Sequence, residues 1–395
     1  MWQEKPKAAY AQKRSPVRSA WSPPKFQEMR HPERSRVSGP RNAILALWVS
    51  ERRDLARNSA ALSANPTTCI LASVPLPEKA LIDRIRKGIS SSRLHYLVRG
   101  IGDDCAVLRI PRNHDTLLTT DFTLEEVHFR RAWHAPEIVG RRCLTRGLSD
   151  IAAMGGNPLA IFLSLAIPKR LPQRWVDRFM KGFLDLAREF RVPLAGGDTA
   201  QSPAGVLADV IVLGSVPRGR AILRSTARAG DGIYVTGELG GAAAALEVLR
   251  KSPRKVAARD YPRHFHPVPR IAIGRFLREK KLASSMIDLS DGLSTDLAHI
   301  CDESRVGARI DENLIPRATV GRPVCQVSPE AALHGGEDYE LLFTAEKSKR
   351  VPRRILGVRI TPIGEITRGR AMTIVKDGVR SKLEPQGWEH FKSDL

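Results

Sequence analysis

From about residue 77 the chain alternates apolar segments of helical period with apolar runs of strand length. Leu81, Ile82, Ile85 and Ile89 fall at helical spacing and predict a first helix, which runs into a polar Ser-Ser-Ser-Arg loop. Two strands are predicted over 105–110 and 116–121, joined by a hairpin-like Pro-Arg-Asn-His-Asp connection. Pro136 opens a helix with Ile138, Val139, Cys143, Leu144, Leu148 and Ile151 on one face, and Gly155-Gly156 stops it. A strand over 159–167 follows, then an amphipathic helix marked by Trp175, Phe179, Phe183, Leu186 and Phe190, and a strand over 206–216. A second unit starts near Gly230 with a strand over 233–236 and an alanine-rich helix after Gly240-Gly241. Residues 286–291 end a strand, 292–301 continue as a helix, and closing strands are predicted over 339–344, 360–366 and 371–375.

Residues 1–75 lack such periodicity; residues 43–49 form only a short apolar island with nothing to pack on. They are expected to be a disordered or mis-started basic extension, with an amphipathic transit peptide disfavoured by the prolines. The whole chain, 395 residues, is long enough for two domains with buried cores. Its net charge of +22 raises a nucleic-acid reading, but 13 Lys and Arg against 5 Asp and Glu in residues 1–75 account for only +8, so the excess is spread. No aromatics alternate with the basic residues as a stacking platform needs, so no specific nucleic-acid partner is expected. No apolar run reaches the roughly 18–20 residues of a membrane span. Cys69, Cys105, Cys143, Cys301 and Cys325 are scattered without C-x-x-C spacing, which points to a reducing, cytoplasmic setting rather than to a zinc or disulfide framework.

The chemistry lies in recurring acidic stretches. Gly100-Ile101-Gly102-Asp103-Asp104 sets two carboxylates beside glycines, and a bare pair would repel itself unless a hard cation such as Mg²⁺ joined it. Thr119-Thr120-Asp121, Leu148-Ser149-Asp150, Gly196-Gly197-Asp198-Thr199, Ile287 to Gly292 and Gly335 to Glu340 repeat the theme. Six such stretches at predicted element ends are economically explained as one multi-metal, polyphosphate-binding site. Asp150, near a helix C-terminus, is disfavoured by the dipole unless a cation is present. Arg224 lies in a polar turn suited to phosphate oxygens, whereas His264 and His266 lack a third metal-ligating partner. There is no G-x-x-x-x-G-K-[ST], no kinase catalytic loop and no G-x-S-x-G elbow. A carboxylate-rich site holding divalent ions suits phosphoryl transfer, which needs mainly positioning and charge neutralisation.

Residues 100–107, 119–121, 148–155, 196–199, 287–293 and 335–341 together resemble the thiamine-monophosphate kinase family, in order, from about Pro77 to Phe391. That family belongs with aminoimidazole ribonucleotide synthetase, selenophosphate synthetase and a hydrogenase maturation protein. The resemblance implies an α/β (α+β), two-domain aminoimidazole ribonucleotide synthetase-like fold with mixed sheets covered by helices. The expected division is 76–225 for an ATP/metal-binding and dimerisation domain and 226–395 for a C-terminal domain. It implies direct, Mg²⁺-dependent transfer of the ATP γ-phosphoryl to thiamine monophosphate, with several ions per site and a homodimer. By position, Asp104, Thr119, Thr120, Asp121, Asp150, Asp198, Asp288 and Asp291 resemble its metal ligands. Gly197, Asp198, Arg224 and Ser290 resemble its ATP contacts, and His128, Glu337 and Trp388 its thiamine-phosphate contacts. No covalent nucleophile is expected. The alternatives are another enzyme of that superfamily, with the synthetase first, and, from charge alone, a basic nucleic-acid-binding protein.

Overall fold

The amphipathic run at 81–89 folds as helix α1 (Glu78–Gly88), with Leu81 buried and Arg86 and Lys87 in the last turn, where the helix dipole favours cations. The computed structural model describes residues 75–89, 96–102, 105–252 and 256–390. The expectation of a disordered extension therefore falls, up to residue 74, outside the described residues, as does Asp104.

Strands β1 (Leu97–Arg99) and β2 (Val107–Leu108) pair with each other. The predicted hairpin between 105–110 and 116–121 does not form. Strand β3 (His114–Leu124) is instead paired along its whole length with a distant strand. Helix α2 (Pro136–Ala153) starts on its proline and ends at Gly155, whose φ of 66° is open to glycine with little strain. Then come β4 (Asn157–Pro168), α3 (Gln173–Glu189), β5 (Leu194–Ser202) and β6 (Leu207–Pro217), closing a sheet of order β3-β6-β4-β5 in which only β4 and β5 run parallel. One face of this sheet is buried under α2 and α3, through Leu144, Leu148, Phe179 and Phe183 against Leu163, Leu165, Val210 and Val212. Two glycines let those helices touch. A Cβ on Gly140 would lie 2.0 Å from the Phe179 carbonyl oxygen, and one on Gly182 would lie 1.9 Å from that of Glu137.

The second sheet follows from β7 (Gly232–Thr236), after which come α4 (Gly241–Lys251), the single-turn α5 (Pro262–Phe265) and α6 (Ile271–Glu279). β8 (Ser285–Asp288), α7 (Leu293–Ser304) and β9 (Gly307–Asp311) come next. A short ribbon of β10 (Thr319–Val320) and β11 (Cys325–Gln326) precedes α8 (Pro329–His334) and β12 (Leu341–Ala345). β13 (Arg354–Ile355), β14 (Val358–Thr367), β15 (Met372–Lys376) and β16 (Val379–Lys382) complete it. The order is β16-β15-β9-β14-β7-β12-β8, with β13 on β14, and only β9 and β15 are parallel. The two sheets share the core around α2. A Cβ on Gly274 of α6 would meet the Ala152 carbonyl oxygen at 2.0 Å, and Met286, Leu341 and Phe343 belong to the same apolar cluster as Leu148 and Ile151. This seating sets the C-terminal turn of α2 beside the end of β8. Among the described residues no helix is long and apolar enough to cross a membrane.

Candidate active site

Three acidic side chains, Asp121, Asp150 and Asp288, converge where β3, α2 and β8 meet, and Asp291 at the start of α7, grouped with Asp296 and His299, is within reach of the same Arg146 and Arg224. Thr119 of β3 donates a short hydrogen bond to Asp150 of α2. Asp150 is pushed up to about 8 by burial and by Asp288 and Asp121, against the pull of Thr119 and Arg224. Burial also raises Asp288, with Asp121 adding to it and the Ser149 hydroxyl and Arg224 opposing. Asp121 and Asp291 are raised by burial as well, Arg146 opposing in both. This grouping is unfavourable unless protons or cations neutralise it. Its donors are hard oxygens, which suit Mg²⁺ rather than a softer metal.

Local chemistry fixes each arm. Asp291 stands before Gly292, whose φ of 111° and whose distance of 2.6 Å from its notional Cβ to the His334 carbonyl oxygen exclude a side chain. Asp296, one turn into α7, accepts the Asp291 and Gly292 N–H groups at 3.2 and 3.1 Å, so it caps its own helix. The two C-terminal acidic stretches are zipped together: Glu337 N–H donates to Ser290 O (2.8 Å), Tyr339 N–H to Leu289 O (2.9 Å) and Leu289 N–H to Glu340 O (2.8 Å). Within the second stretch the acids divide their work. Asp338 accepts the Gly240 N–H at 2.6 Å ahead of α4, and Glu340 is buried with Arg270 (2.7 Å), Arg263 and Thr236. Glu337 alone faces the site.

Glu337 leads to the second half of the site. Burial would raise its carboxyl, but Arg142 and Arg146 outweigh this and hold it at about 2. Arg142 meets Glu337 Oε2 at 2.6 Å and His264 Nε2 at 3.0 Å, and His264 Nε2 lies 2.9 Å from His134 Nε2. His128 is lowered to about 4 by burial and by Arg146, hence neutral; its Nδ1 accepts the Leu124 N–H at 3.0 Å, leaving the proton on Nε2. Its ring meets His390 edge-on at 5.8 Å between centroids, and His390 meets Trp388 at 5.6 Å. The Trp388 backbone N–H donates to the Asp291 carbonyl oxygen at 3.1 Å, tying this aromatic row to the acidic cluster.

Thus the structure brings Thr119, Asp121, Asp150 and Asp288 together, with Asp291 and Arg224 beside them, and sets His128, Glu337 and Trp388 nearby. Ser290 is held by its backbone beside Glu337. Thr120 does not join them: its hydroxyl donates to Asp209 (2.6 Å), because neighbouring strand residues face opposite sides. Gly197 and Asp198 lie inside β5, not in a turn. A Cβ on Gly197 would sit 2.0 Å from the Leu163 carbonyl oxygen, so this glycine serves strand packing. Asp198 is exposed, its Oδ1 accepting the Thr199 N–H. Both line a separate cleft of about 930 Å³ floored by Ile82, Ile85, Phe162 and Met180 and rimmed by Gly100 and Gly102. Arg142 and Arg146 were not anticipated from sequence. With Asp150 they stand at i, i+4 and i+8, one face of α2, and that spacing was the available signal.

Comparison with known proteins gives the class first. Residues 102–216 match the family model of the AIR synthase related protein, N-terminal domain, and 228–377 that of the AIR synthase related protein, C-terminal domain. The thiamine-monophosphate kinase of Escherichia coli (strain K12) is 39% identical over 332 residues, 80% of this chain and 98% of that protein. The crystal structure of thiamine-monophosphate kinase from Stenotrophomonas maltophilia K279a superposes with a TM-score of 0.66 at 35% identity, over 76% of this chain and 96% of that one. The structure of AaThiL complexed with AMPPCP and TMP superposes with a TM-score of 0.63 at 31% identity, over 83% and 100%. The chain belongs to the thiamine-monophosphate kinase family.

Proposed function

We propose that this protein is an ATP-dependent kinase that phosphorylates thiamine monophosphate to thiamine diphosphate, releasing ADP. The observation that carries this reading is the meeting of Asp121, Asp150, Asp288 and Asp291 with Glu337, His128 and Trp388 in a member of this family. A phosphate oxygen of the acceptor attacks the γ-phosphorus, and the bond to the ADP oxygen breaks. The chain's task is to place the two phosphates and neutralise them.

The acidic cluster fits Mg²⁺, and Asp121, Asp150, Asp288 and Asp291, with Asp104 and the hydroxyl of Thr119, are the residues that would hold several ions, whereas the Thr120 hydroxyl, turned to Asp209, is not among them. The ions would supply charge neutralisation at the transferring phosphoryl group. Arg224 and Ser290 are assigned to ATP beside the acidic cluster, and Gly197 and Asp198 line the separate, apolar-floored cleft, which suits a purine ring. His128 offers its Nε2 proton to an acceptor atom of the thiamine moiety, Glu337 a carboxylate, and Trp388 a flat ring, half exposed, on which an aromatic ring stacks.

A homodimer and a division of the core near residue 225 are part of this reading. β3 is an edge strand of eleven residues, and Leu118 and Phe122 on its outer face are 71% and 54% exposed. Such an edge calls for a covering partner, and a second copy of the same sheet provides one. Operation in the cytoplasm is the companion proposal, supported by the unpaired Cys105, Cys143, Cys301 and Cys325. Formation of thiamine diphosphate from ATP and thiamine monophosphate, strictly dependent on a divalent ion, tests the function; no product with excess Mg²⁺ would reject it.

A further inference from the structure

We propose that Arg146 contacts the phosphate of the acceptor and is a catalytic residue, an inference that rests on the reading above. It lies one turn from Asp150 in one direction along α2 and one turn from Arg142 in the other, so it borders both the acidic cluster and the Glu337 pocket. Its guanidinium reaches Asp121 Oδ1 at 3.4 Å, Glu337 Oε1 at 3.5 Å and Tyr339 Oη at 3.3 Å. All three lie at the long limit of hydrogen bonding, whereas Arg142 holds the same Glu337 at 2.6 Å and is further engaged by His264 at 3.0 Å. Arg142 is therefore committed, and Arg146, with five N–H donors in a planar fork, is free to redirect two of them.

The chemistry demands such a group. A phosphate monoester carries about −1.5 to −2 near neutral pH. Where it approaches the carboxylates of Asp121 and Glu337, the Glu337 charge, to which no ion is assigned, repels it. His128, neutral here, supplies no compensating charge. Arg146 stands between these two carboxylates, side chain 17% exposed, and walls one small cavity with Arg142, Glu337 and His128. A bidentate bond to the incoming phosphate neutralises it and fixes its reacting oxygen.

The test is calorimetric binding of thiamine monophosphate and of thiamine to the full-length protein in Mg²⁺, for wild type, Arg146→Gln and Arg146→Lys. Wild type is expected to prefer the phosphorylated ligand by about tenfold or more. Arg146→Gln should bring that ratio near unity while thiamine affinity stays within about threefold, and Arg146→Lys should give an intermediate ratio. A purely structural role would weaken both ligands together. A wild-type ratio in Arg146→Gln overturns the inference, and if that variant fails to fold, a wild-type ratio in Arg146→Lys does so instead. Absence of thiamine monophosphate turnover by wild type overturns the functional reading itself, and is read separately from the ratio.

Discussion

Asp150 is held unfavourably in the metal-free protein, because burial and two neighbouring carboxyls oppose its charge. Asp150→Asn should therefore lower kcat by about 10²-fold or more and yet stabilise the metal-free protein by about 1–3 kcal/mol. The linkage has a definite sign. A carboxyl raised from its usual value near 4 to about 8 penalises the fold increasingly as pH rises through that window, and not below it. The stability advantage of Asp150→Asn in chelator should thus grow between pH 5 and 8 and shrink when Mg²⁺ is added. Paired chemical denaturation curves measure it; an advantage that falls with pH would contradict the assignment. Trp388→Ala should raise KM for thiamine monophosphate about tenfold with little change in KM for ATP, whereas an equal rise in both would remove the stacking role. At this scale Asp121, Asp150 and Asp291 stand out in the sequence because each has glycine or a hydroxyl residue beside it, whereas Asp288 is flanked by Ile287 and Leu289. The sorting of the acids was not legible. The stretch Thr119-Thr120-Asp121 reads as one set, but strand alternation sends Thr120 to Asp209 on the other side. Glu337, Asp338 and Glu340 look alike in sequence and have three different partners.

Among elements, α2 is the pillar on which both sheets lean, and its contacts are made by absent side chains. Gly182→Ala would press a methyl group into the Glu137 backbone and should destabilise the protein by about 1–3 kcal/mol. Glu340→Ala should cost more, about 3–5 kcal/mol, by leaving Arg263 and Arg270 without their buried partner. Thermal or denaturant unfolding checks both, and unchanged stability of Gly182→Ala would mean that the helices separate without penalty. Helices were the elements most readily predicted, since the Pro136 start, the Gly155 stop and the aromatic stripe of α3 are local signals. Strand partners are not local. The polar run between residues 110 and 116 suggested a hairpin, but β3 finds its partner some ninety residues later. Gly196-Gly197 reads in sequence as an element end, but it lies within β5, where Gly197 is needed because the strand lies tight against the Leu163 backbone.

For the molecule as a whole, the apolar outer face of β3 predicts association. Leu118→Arg should convert a dimer to a monomer in light scattering, and a wild-type protein that is monomeric throughout would refute the proposed pairing. The interleaving of helices and strands made the fold class readable, yet the seating of α2 between the sheets, which creates the site, depends on long-range packing that no segment announces. The central claim is the transfer itself. The decisive measurement incubates the full-length protein with ATP, Mg²⁺ and thiamine monophosphate, with thiamine and formylglycinamidine ribonucleotide as parallel acceptors, and quantifies products by chromatography. The account predicts thiamine diphosphate and ADP in equal amounts from thiamine monophosphate alone, abolished by a chelator. ADP formation with formylglycinamidine ribonucleotide instead, or no turnover of any acceptor, would contradict it.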